Sequence, residues 1–164
     1  MSMERRLFLA GAALAGMAPA LPGLAQESGG PRALIERFAA TLSAHDLAAF
    51  GALFADDYVN HQMSAAAPPA PAGATPKQAT IGLFAARLAG VPDLQVAIET
   101  AVTSADKVAA SFVYTGTHGG SYFGIAPTGR PLRFTSCDIF LVRNNQLAEH
   151  WGMGDIAGIL AQLR

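Results

Sequence analysis

The sequence predicts an α+β domain in which helices pack on one face of a curved antiparallel sheet. Three observations carry this. In three stretches between Arg32 and Gly90 apolar residues recur at helical spacing, and from Leu94 onward they alternate with polar ones as in strands. A tight turn at Asn144-Asn145 joins two of those strands, and Asn tolerates the positive φ that such a turn requires. Helices come first and strands follow, an order that argues for segregated layers.

The 164 residues divide into an address and one domain. Residues 1–25 read as an export signal, 26–31 as a polar Gly/Ser/Pro linker, and 32–164 as the domain. The signal has Arg5-Arg6, an Ala/Gly/Leu run from Leu7 to Ala18, and a small-residue site at Gly23-Leu24-Ala25. The run is too short for a membrane span. Arg5-Arg6 with Phe8-Leu9 resembles a twin-arginine signal, although Glu4 and Ala10 depart from that pattern; a general secretory signal is the other reading. Cleavage is expected after Ala25. No cysteine lies there to carry a lipid, so the mature protein is expected to be periplasmic or extracellular, without a stable membrane anchor.

In the domain, Leu34, Ile35, Phe38, Ala39 and Leu42 mark a first helix from Arg32 to Ser43. Asp46 caps a second helix carrying Leu47, Phe50, Leu53 and Phe54. The following YVNHQ brings Tyr58, Asn60 and His61 to a loop or short strand. Ser64 to Pro76 is an Ala/Pro/Gly loop, read as a lid over a cavity mouth. Thr75, with Pro76 and Gln78, caps a third helix whose buried face is Ile81, Phe84, Ala85 and Leu88. Gly90 and Pro92 stop it. Strands follow at Leu94–Thr103 and Lys107–His118, around a turn at Ser104-Ala105-Asp106. A terminal helix beginning near Asp155 carries Ile156, Ile159, Leu160 and Leu163.

Between these lies the hairpin from Phe134 to Asp155. Its first strand places Leu132, Phe134, Ser136, Asp138, Phe140 and Val142 on one face. A carboxylate in an apolar row is costly unless paired, hydrogen-bonded or protonated, so Asp138 is the first catalytic candidate. An unbulged hairpin sets Val142 against Leu147, Phe140 against Glu149 and Asp138 against Trp151, and turns His150 to the other face. Gly152 and Gly154 permit a bulge, which would swap the parity beyond it. His118 shares a parity with Phe112 and Tyr114, and His61 sits where the second helix hands over to the pocket mouth. These two join Asp138 as candidate catalytic residues, with Asn60 as a hydrogen-bond donor to a carbonyl. Tyr58, Phe112, Tyr114, Phe134 and Trp151 are the expected apolar lining.

Composition excludes several classes. A net charge of -1 with 14% charged residues leaves no basic stripe for nucleic acid. Four scattered histidines without ligand spacing, and Cys137 alone on a strand, give no metal site and no disulfide.

YVNHQ after two helices, YTGTHGG with SYFGIAPTGR, and the DIF…NNQLAEHW…D hairpin together resemble the SnoaL-like polyketide cyclase (ester cyclase) family of the NTF2-like superfamily. The likeness runs from about Arg32 to the end. It implies an NTF2-like cone, a curved sheet wrapped around the N-terminal helices, often paired as a homodimer through the outer side of the sheet. It also implies a cofactor-free enzyme closing rings on a small hydrophobic carbonyl compound by acid/base chemistry in an apolar cavity; isomerisation and hydrolysis are related outcomes. The family's acid/base aspartate falls on Gly152 and its cavity histidine on Asp138. That departure keeps open a non-catalytic small-molecule-binding module that lost the aspartate.

Overall fold

The computed structural model describes residues 30–62 and 69–164. The expected export signal at 1–25, residues 26–29 of the linker and Ser64–Pro68 of the lid loop lie outside the described residues. Helix α1 (Pro31–Ser43) buries Leu34, Ile35, Phe38, Ala39 and Leu42, the stripe its spacing predicts. Helix α2 (Leu47–Ala52) starts at Asp46, whose carboxylate accepts from the Ala49 N–H. It ends earlier than expected: Leu53 caps it and Phe54 opens strand β1 (Phe54–Asn60).

Helix α3 (Pro76–Gly90) begins with a full Thr75/Gln78 capping box. Its buried face differs from the expected one. Thr80, Phe84 and Arg87 point inward, an i, i+4, i+7 stripe, while Ile81 and Leu88 are half-buried. Strands β2 (Gln95–Thr103), β3 (Lys107–Thr117), β4 (Pro131–Arg143) and β5 (Gln146–Gly154) follow, and α4 (Ile156–Leu163) closes the chain under an Asp155 cap. Among the described residues, no helix is long and apolar enough to cross a membrane.

The five strands form one sheet in the order β1-β5-β4-β3-β2, antiparallel except where β1 runs parallel to β5. The helices cover its concave face, giving the expected α+β cone. Phe38 of α1 is the hub of the core, with ring centroids 5.1 Å from Phe50, 5.5 Å from Phe84, 5.0 Å from Phe112 and 5.7 Å from Phe140.

The hairpin turn has Asn144 and Asn145 at φ of 52° and 58°, as its sequence demands. Beyond it the expected register fails. Val142 faces Leu147, but the next residue of β4, Leu141, faces Glu149, so Ala148 is an extra residue on β5. Leu147 and Ala148 are both fully buried, and Leu147 N–H donates to Leu53 O. Two consecutive apolar residues can both turn inward only across such a bulge. From there Asp138 faces Gly152 rather than Trp151, and Phe140 faces His150 rather than Glu149.

Candidate active site

The bulge decides what the cone encloses. His150 turns inward, 7% exposed, its ring stacked 4.8 Å from Phe140. Its Nε2 lies 2.8 Å from Asp138 Oδ1, and its Nδ1 lies 2.9 Å from Asn60 Oδ1 at the end of β1. Asp138, also 7% exposed, accepts a second hydrogen bond on Oδ2 from the Ser136 hydroxyl at 2.5 Å. The three strands thus converge on one polar line, exposed at Asn60, buried at His150 and Asp138, and half-buried at Ser136.

That line fixes a proton. Gln62 N–H donates to Asn60 Oδ1, so the side chain presents its oxygen to His150 and Nδ1 must donate. A hydrogen bond between Nε2 and Asp138 Oδ1 then requires a second proton between them. The hydrogen-bond pattern thus places one proton between the imidazole and the carboxyl group.

Gly152 makes room for it. A Cβ at that position would stand 2.5 Å from His150 Nε2 and nearer still to Asp138 Oδ1. The Asp138 carboxylate therefore occupies, from the neighbouring strand, the space directly above residue 152.

The pair opens on an apolar cavity of about 120 Å³, between α3 and the concave face of the sheet. Phe38, Tyr58, Phe84, Tyr114 and Phe140 line it with Asn60, Arg87, Asp138 and His150. Tyr58 carries a buried hydroxyl with no hydrogen-bond partner among the described residues, and burial pushes its phenol above the ordinary range. Arg87 is 8% exposed, its guanidinium carbon 4.7 Å from the Phe84 ring centre, 4.8 Å from Tyr114 and 5.2 Å from Phe134. Burial alone would lower its pKa, but the Tyr122 and Tyr114 oxygens, with the Asp138 charge, hold it above its ordinary value.

Burial, with the nearby Asp138 charge adding to it, pushes the Tyr114 phenol up to about 12. The folded chain keeps this proton where the unfolded chain, titrating at 10.0, has released it. Stability is therefore expected to fall as pH rises from 10 through 12, Tyr114 alone contributing about 2 kcal/mol of the loss by pH 12. Chemical denaturation across that range checks it: Tyr114→Phe should show a shallower fall than the wild type, and equal slopes would refute the assignment.

Of the sequence-derived candidates, the cavity brings together Asp138, Tyr58, Asn60 and Tyr114. His118 is fully buried but does not line it. Its Nδ1 accepts from Thr128 N–H and sits 2.9 Å from Thr128 Oγ1, tying down the loop between β3 and β4. His61 lies on the outer rim, bonded to Glu149 at 2.8 Å and stacked 4.5 Å from Trp151. The bulge puts Trp151 and Glu149 on that outer face, so neither lines the cavity that Asp138 and His150 share. Phe112 fills the core against Phe38, and Phe134 stacks behind Tyr114, one layer back from the cavity. The sequence reading missed His150 and Arg87. The consecutive apolar pair Leu147-Ala148 was the available signal for the first, and the Thr80/Phe84/Arg87 spacing for the second.

A family model described as SnoaL-like polyketide cyclase matches residues 32–163. Among solved structures, IdmH of Streptomyces antibioticus, a candidate polyketide cyclase, is 30% identical, with a TM-score of 0.69 over 81% of this chain and 97% of that one. AclR of Streptomyces galilaeus, a candidate hydroxylase, is 23% identical, with a TM-score of 0.68 over 81% of this chain and 80% of its own. A Catenulispora acidiphila protein with a ketosteroid isomerase-like fold is 22% identical, with a TM-score of 0.58 over 79% and 90%. No curated protein matches the sequence.

Proposed function

The chain belongs to the SnoaL-like polyketide cyclase family, with an NTF2-like fold, and from that premise we propose that it is a cofactor-independent acid/base enzyme acting on a small hydrophobic carbonyl compound. The observation that carries this is the buried Asp138–His150 pair opening on an apolar cavity. The family resemblance puts the acid/base aspartate at residue 152; here the glycine leaves that volume to a carboxylate from β4. The acid has changed strands rather than been lost.

In this reading the Asp138 carboxylate takes a proton from the carbon beside the carbonyl, and the charged imidazole of His150 steadies it. The Tyr58 hydroxyl, free of any partner among the described residues, donates to the enolate oxygen. The enolate carbon then attacks a second carbonyl to close a ring, or takes the proton back at another position to isomerise. The similarity to IdmH favours ring closure. The N-terminal pattern supports work outside the cytoplasm. The apolar outer face of the sheet, with Val102, Ile139 and Met153 exposed, supports a homodimer.

Exchange of α-hydrogens tests the reading without knowledge of the substrate. Small apolar ketones and 1,3-diketones in D2O should lose their α-protons faster with the protein than in buffer alone, as followed by NMR. Compounds that bind but exchange at the buffer rate would instead show a binding module.

A further inference from the structure

The cavity holds a charge that the proton-transfer chemistry leaves unused. Arg87 reaches in from α3, and among the described residues no carboxylate lies within 4 Å of it. Its Nε donates to the Tyr122 hydroxyl at 3.2 Å, the Tyr114 hydroxyl lies within its reach, and neither oxygen carries a charge. Three aromatic faces flank the guanidinium, which fixes its plane but supplies no counter-charge. Its nearest counter-charge, Asp138, acts on it from beyond contact distance, which leaves the guanidinium donors themselves without an anion to bond. A guanidinium with its Nε already occupied offers its remaining donors to a planar, two-oxygen anion.

We propose that Arg87 makes this cavity a site for an organic anion: a carboxylate, or the acidic enol of a 1,3-dicarbonyl, carried on an apolar body of about one ring. The anion seats against Arg87, and the ring lies among Phe38, Phe84 and Phe140. The reactive carbon is then presented to Asp138, which lines the same cavity. The cavity of about 120 Å³ is somewhat smaller than the apolar void of about 150 Å³ that holds benzene, which limits the enclosed body to one ring at most. This inference rests on the proposed function only in taking the cavity as the ligand site; it does not need the Asp138–His150 pair to move a proton.

Calorimetric titration of the full chain with phenylacetate and with its neutral isostere phenylacetamide tests it. Phenylacetate is expected to bind about 10- to 100-fold more tightly. In Arg87→Met, which keeps the apolar stem, the two should bind alike; phenylacetamide then doubles as the check that the variant is folded. Equal affinities in the wild type, or a preference that survives in Arg87→Met, would overturn the anion site while leaving catalysed α-exchange of ketones untouched. Binding of neither compound overturns it as well, and absent exchange would then remove the cavity from the proposed function too. If Arg87→Met does not fold, the wild-type ratio decides: a ratio near one refutes the site, and the expected ratio supports it.

Discussion

Asp138→Asn is expected to slow catalysed α-hydrogen exchange by about 100- to 10,000-fold while ligand affinity changes little. The amide has the size of the carboxylate, still accepts from Ser136, and turns its NH2 towards His150 Nε2. What it removes is the capacity to take up a proton. Gly152→Ala reaches the same site without touching a titratable group, because the added Cβ drives Asp138 Oδ1 and His150 Nε2 apart. It should lose exchange to a similar degree. Moving the acid back across the sheet makes the account sharper: Asp138→Ala with Gly152→Asp should recover part of the rate that each single change destroys. Exchange by NMR, with calorimetry for binding, reads these variants, the two single changes and the wild type. An Asp138→Asn variant as fast as the wild type would end the role assigned to this carboxylate.

Phe38→Ala is expected to cost about 4 kcal/mol of unfolding free energy. The ring is 2% exposed and meets four other aromatic rings at 5.0 to 5.7 Å. Each such pair adds about 0.5–1.5 kcal/mol beyond simple burial. Phe38 also lines the cavity, so the space left by its removal joins an existing void and the walls cannot close over it. Phe38→Leu, which keeps most of the volume, should cost about 1–2 kcal/mol. Guanidinium denaturation gives both numbers; a loss for Phe38→Ala below about 1.5 kcal/mol would mean that the core repacks around the gap.

Much of the fold was written in short-range chemistry. Asp46, Thr75 and Asp155 cap the helices they precede, and Asn144-Asn145 adopt the positive φ values that their turn needs. Asp138 was legible because alternation along β4 places it among apolar neighbours whatever its partner strand does. The same alternation failed on β5, where one unpaired residue changes the phase and only the consecutive apolar pair Leu147-Ala148 marks it. Counting from the turn therefore put Trp151 inside and His150 outside, the reverse of the structure. Arg87 was passed over because charge argues for solvent, while its helical spacing with Thr80 and Phe84 argued for the interior. The parallel pairing of β1 with β5 joins residues about 90 positions apart, beyond the range of any local pattern.

The Ala148 bulge also bears on how such a pocket changes over evolutionary time. Strand β5 holds two interleaved sets of side chains, and the extra residue works like a frameshift in selecting between them. With it, the cavity receives His150 and the outer face receives Glu149 and Trp151. A lineage that lost one codon between the turn and Glu149 would present the second set to the cavity with every other residue unchanged. A single insertion or deletion could thus exchange an imidazole for an indole and a carboxylate, a step that point substitution would take several mutations to reach.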